Sequence, residues 1–223
     1  MSSGLSLTTL LAIGALSLLP LLLMVTTSFV KISVVLSLLR NALGVPDVPS
    51  GAVVTALAMI LSAYVMTPVA REMAQRAAPA SARIDIDNPL APESRKAVLQ
   101  AFELGTPPLA AFLRRNAGSK ERALFLDLAR RARPADQRDE VSASDLSVAI
   151  PAFLVSELAQ AFRVGLLVLL PFVVIDLVVA SILLALGMSA LPPATIALPF
   201  KLLLFVLVDG FFVLSKALVS SYG

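Results

Sequence analysis

The sequence predicts an all-α protein of the membrane type, in which apolar helical hairpins flank a helical soluble insert. Three observations carry that prediction. Hydrophobic residues make up 58% of the 223 positions and charged residues only 15%, against about half and about a quarter in soluble domains. The charges are also segregated: residues 71–147 hold 13 of the 18 Lys and Arg and 11 of the 15 Asp and Glu. Finally, no stretch alternates with the period of two that marks a half-buried strand.

The elements follow in order. Leu5 to Val30 is 26 residues without a charge, about 39 Å as a helix and enough to cross a bilayer with tilt. The run continues past Lys31 to Arg40. A cleaved secretory signal needs a basic start and a shorter apolar stretch. Met1 to Gly4 carry no basic side chain, so the segment reads as retained. Gly51 to Ala70 is a second uncharged run, of 20 residues. These two runs define an N-terminal hairpin, residues 1–70. The polar insert, residues 71–147, predicts a helix from Pro92 to Leu104 closed by Gly105. A second runs from Pro107 to Ala117, closed by Gly118. A third, Lys120 to Ala132, is capped by Ser119, with Arg130, Arg131 and Arg133 where the helix dipole favours cations. Residues 134–144 read as a linker. A C-terminal hairpin, residues 148–223, pairs an apolar run from Ala149 to Leu186 with another from Ala194 to Tyr222. Between them, Gly187 to Pro193 breaks any helix. On spacing this is an ordinary hairpin turn; the other reading is a re-entrant pore loop. Lys31 and Arg40 bias the 31–50 segment to the cytoplasm, which places the insert and both termini outside.

Composition removes several chemistries. Cys, His and Trp are absent, so there is no disulfide, no Cys/His zinc site and no Ser-His-Asp or Cys-His catalysis. A net charge of +3 is too mild and balanced for nucleic acid. No phosphate-binding Gly loop or metal-ligand cluster is present, and no cofactor is expected.

What remains is a set of charges inside apolar helices: Lys31, Glu157, Arg163, Asp176, Lys201 and Asp209. An ionised group there must pair, face water or serve a purpose. Glu157 and Arg163 are six apart and do not face each other on one helix. Lys201 and Asp209 share a face but lie too far apart to touch. Taken singly, each charge favours a structural role. Taken together they favour an oligomer joined by buried ion pairs between subunits. An aspartyl dyad of Asp176 and Asp209 is a formal alternative that no surrounding motif supports, and a stand-alone transporter is another, without the internal repeat it would predict.

Several stretches resemble one family. They are Thr27-Ser28-Phe29-Val30-Lys31-Ile32, Leu39-Arg40-Asn41-Ala42-Leu43-Gly44 and Val65-Met66-Thr67-Pro68. Longer ones are Pro151-Ala152-Phe153-Leu154-Val155-Ser156-Glu157-Leu158 with Ala161-Phe162-Arg163-Val164-Gly165, and Leu170-Pro171-Phe172 running to Asp176 and Ser181. The last is Leu198-Pro199-Phe200-Lys201 running to Asp209-Gly210. Together they resemble the R-component of the type III secretion export apparatus, the SctR, YscR or HrcR family, related to flagellar FliP. The resemblance covers nearly all of the chain outside 71–147.

It implies a non-enzymatic homopentamer that joins S and T components in an export gate of the bacterial inner membrane. The U and V components would be neighbours and unfolded secreted polypeptides the cargo. The family's helices are tilted hairpins, lifted largely out of the bilayer in the assembled complex. Such an assembly suits the charges in the apolar helices: Glu157 is expected to pair with Lys201 between neighbouring subunits, with Lys31, Arg163 and Asp176 as the next candidates. The 187–193 loop corresponds to a methionine-rich gasket, here reduced to Met188 and Leu191. Val45 to Gly51 departs from the family's Gln pairs and Pro-Pro-Asn. The absence of a cleaved signal points to the virulence branch.

Overall fold

The structure, a computed structural model, describes residues 7–45, 49–85, 91–143 and 145–223. Expectations for Met1 to Gly4, and for Pro46 to Val48 in the departing loop, lie outside them. All regular structure among the described residues is helical: α1 (Leu7–Thr26), α2 (Phe29–Leu43), α3 (Gly51–Ser81), α4 (Pro92–Asn116), α5 (Ser119–Arg131), α6 (Leu146–Ala185), α7 (Pro193–Leu207) and α8 (Gly210–Ser220), with one 3-10 turn at Ala135–Gln137.

The first apolar run is not one helix. It bends by 79° between Thr26 and Phe29. The Thr27-Ser28 pair supplies the reason: Ser28 is buried and its hydroxyl donates to Ser62 of α3 at 3.1 Å, while the Ser62 hydroxyl reaches Thr27 at 3.4 Å. These hydroxyls pin the corner to α3. At its far end α2 stops at Gly44, whose positive φ of 79° suits a residue without a Cβ. Ser50 then caps α3 by accepting from the Val53 amide, as an N-cap serine does.

α3 and α4 both run through expected stops. α3 continues past Ala70 to Ser81, through Pro68 and Pro79, so the change from apolar to polar composition falls inside one helix. α4 is a single helix through Gly105, Pro107 and Pro108, where the sequence predicts two. Gly105 faces α3, and a Cβ there would make ordinary contacts with the Met73 carbonyl and Ala77. Packing along α3 therefore holds the helix despite the missing amides of the prolines. The stop at Gly118 is real. Its amide donates to Ser156 Oγ at 2.7 Å, which fixes the α4–α5 corner on α6.

α6 is 40 residues long and passes through Pro151 and Pro171. It is the axis on which the molecule packs. One buried cluster joins α2 (Ile32, Val35, Leu39) to α3, α6 (Ala161, Phe172), α7 and α8. A second joins the end of α4 (Phe112, Leu113) to Phe153 and Tyr222. The last apolar run is again broken, by 59° between α7 and α8. Asp209 takes a left-handed conformation with φ 50°, uncommon for a residue with a side chain. Gly210 follows because any Cβ there would run into the Phe205 ring. α3 and α6 are each long and apolar enough to cross a membrane, and the two bent pairs raise that number to four.

Candidate functional site

The helices bring four of the six sequence-predicted charges together as two pairs within the chain. The first joins α2 to α6. Lys31 Nζ lies 3.3 Å from Glu157 Oε1, and both side chains are almost wholly buried. Lys31 also donates to Gln160 Oε1 at 3.1 Å, one turn further along α6. Its ammonium sits 3.8 Å from the centre of the Tyr222 ring, a cation–π contact. The Tyr222 hydroxyl donates to the other Glu157 oxygen. Tyr222 stacks on Phe112 with ring centres 5.9 Å apart, and its carbonyl accepts from Arg115 at 3.2 Å. Burial, and then the neighbouring Glu157 carboxylate, push the phenol above its ordinary range, so it stays a donor. Next to Glu157, Ser156 holds the α4–α5 corner. Lys31 of α2 and Tyr222 beyond α8 thus meet on one carboxylate of α6, with α4 backing the Tyr222 ring.

The second pair joins α6 to α7. Lys201 Nζ lies 2.6 Å from Asp176 Oδ2 and donates to the Ala42 carbonyl at 3.2 Å. Ala42 is in the last turn of α2, where free carbonyls and the helix dipole favour a cation. Asp176 is 39% exposed, and its Oδ1 has no hydrogen-bond partner.

Glu157 and Lys201 therefore do not meet within the chain; each has another partner. Arg163 and Asp209 lie exposed, without an ion pair among the described residues. Asp176 and Asp209 are not hydrogen-bonded to each other, and no group of three acids among the described residues can hold a metal. Met188 and Leu191 are exposed at the turn between α6 and α7. That turn is a Schellman motif: the Gly187 amide bonds the Leu184 carbonyl, the Met188 amide bonds the Leu183 carbonyl, and Gly187 has φ 71°. Pro193 then opens α7, as a first-turn proline can.

Sequence reasoning missed Tyr222. The available signal was a phenol in an otherwise apolar segment, which needs a partner when buried.

Comparison with known proteins agrees with the motifs. A model described as the FliP family matches residues 12–218. The chain is 43% identical over 213 residues to the Yop proteins translocation protein R of Yersinia pestis, covering 96% of this chain and 94% of that one. It is 43% identical over 208 residues to the hypersensitivity response secretion protein HrcR of Ralstonia nicotianae, covering 93% of each. It is also 43% identical over 220 residues to the flagellar biosynthetic protein FliP of Pectobacterium carotovorum subsp. carotovorum, covering 98% of this chain and 79% of the relative.

Proposed function

The chain belongs to the FliP family, and from that premise we propose that it is a core subunit of a type III secretion export gate. The observation that carries this reading is the near full-length similarity to the Yop translocation protein R. Five copies form a ring that, with S and T components, makes a channel for unfolded effector and needle polypeptides across the bacterial inner membrane. U and V components are its neighbours. The role is structural and conductive, with no catalytic step and no cofactor. The virulence branch is favoured by the relatives named for translocation and hypersensitivity secretion.

The physical features suit that role. Apolar side chains such as Leu167, Leu170, Leu177, Val206 and Phe212 are exposed along α6, α7 and α8. A surface of this kind belongs against lipid or other subunits. Met188 and Leu191, at the tip of the α6–α7 turn, supply the gasket. A single thioether per copy, repeated around a ring, gives a flexible apolar constriction. Among the charges, the exposed Arg163 and Asp209 are the first placed at subunit contacts. A Glu157–Lys201 bridge between copies would first require Glu157 to leave Lys31 and Tyr222.

Native mass spectrometry of the detergent-extracted protein, co-expressed with the neighbouring S and T genes, tests the reading. Five copies bound to other small hydrophobic subunits are expected. A stable monomer or dimer without partners would sink the gate and favour a stand-alone transporter.

A further inference from the structure

Beside Tyr222, the surface opens into a cavity of about 570 Å³. Tyr64, Pro68 and Arg71 of α3 form one wall, spaced so that they share a helix face. Arg115 of α4 forms the second, and Val219 and Tyr222 the third. The lining is mixed: valines and a proline, two guanidinium groups, two phenols and the backbone of Gly223.

Neither arginine is neutralised. Arg71 and Arg115 make no ion pair among the described residues. Arg115 uses one donor on the Tyr222 carbonyl and keeps the others of its five. Glu72, beside Arg71 in sequence, is taken by Arg76 at 2.6 Å. Glu157, behind the Tyr222 ring, is committed to Lys31.

The position along α3 gives the cavity its meaning. From Gly51 to Ala70 the helix carries no charge, and Arg71 is the first. Val53, Met59, Ile60 and Tyr64 are exposed along the apolar part. The cavity therefore lies where exposed apolar surface gives way to charge, the level at which Tyr and Arg meet lipid headgroups.

We infer that this cavity binds the phosphate group of an acidic phospholipid, with Arg71 and Arg115 on the phosphate and the valine wall along the acyl chain. Planar guanidinium donors match phosphate oxygens. The inference is independent of the secretion role.

The test is native mass spectrometry of the full chain in detergent, mixed with phosphatidylglycerol or phosphatidylcholine. Arg71→Gln is read first, because Arg71 is exposed and unpartnered and its loss leaves the fold intact. Each arginine at a headgroup is worth about fivefold in binding, so phosphatidylglycerol retention should fall about fivefold in Arg71→Gln and about 25-fold with Arg115→Gln added. Phosphatidylcholine, whose phosphate is offset by its own choline cation, should be retained less by the parent and fall less in the variants, and Arg95→Gln, outside the cavity, should behave as the parent. Equal phosphatidylglycerol retention by the parent and the double variant would overturn the site. Arginine-dependent binding of inorganic phosphate as tight as that of phosphatidylglycerol would overturn the lipid in favour of free phosphate.

Discussion

The two internal ion pairs have the same chemistry and opposite settings. Lys31–Glu157 is sealed: both side chains are buried, and Gln160, Tyr222 and the α4–α5 corner close around it. Lys201–Asp176 is open on one side only: its lysine is buried and capped by the end of α2, while the Asp176 side chain is 39% exposed. A sealed pair is costly to break, because removal of one partner strands the other charge. An open pair can exchange its partner for water or for another protein. The comparison separates a region that fixes the tertiary structure from one that is free to engage outside it.

Breaking the sealed pair should have the largest effect. Lys31→Met leaves Glu157 buried and uncompensated, and should cost about 3–5 kcal/mol, read by denaturation in detergent. Adding Glu157→Leu should restore part of that loss, since two apolar groups need no counter-charge, and Tyr222→Phe on top should recover more, because it removes the hydroxyl that Glu157→Leu strands. A double variant as weak as the single would show that the pair itself is not what seals the region.

Tyr222→Phe sharpens the comparison, keeping the ring and removing the hydroxyl. Loss of a hydrogen bond to a charged acceptor should cost about 1.5–3 kcal/mol. It also carries a pH signature. The folded phenol is held above its unfolded value, so its contribution is complete below about pH 10 and declines as pH rises beyond that point. The difference in stability between parent and Tyr222→Phe should therefore shrink on the alkaline side. A constant difference would contradict the buried phenol.

The smallest effect belongs to the open pair. Asp176→Asn should cost the isolated chain about 1–3 kcal/mol, less than Lys31→Met, because the buried Lys201 keeps the Ala42 carbonyl and gains the Asn oxygen. If its cost equalled that of Lys31→Met, the distinction between sealed and open would fail.

The all-α class and the apolar runs were legible because hydropathy and missing alternation are local properties. The breaks were less so. At Thr27-Ser28 the composition stays apolar, and the corner exists because Ser62, 34 positions away from Ser28, meets it. Gly105 and Pro107-Pro108 carry strong local stop signals, yet packing on α3 overrides them. Among the site residues, the charges were legible as needing partners, but the partners were not. Lys31 and Glu157 become neighbours only through the α2–α6 packing. Tyr222 passed unnoticed because its role depends on Phe112 and Arg115 from the insert.

At 40 residues, α6 is about 60 Å long, roughly twice the hydrocarbon thickness of a bilayer. It cannot be contained by a membrane, and it is held along its length: at Ser156 and Glu157 near one end, at Ala161 and Phe172 in the middle, and at Asp176, Val179 and Leu183 toward the other. A tilt of about 10° around its midpoint swings each tip by about 5 Å, close to the width of a side chain. Because α2 and α7 pack on its far half, any such tilt would have to carry Lys201 and Ala197 along with Met188 and Leu191.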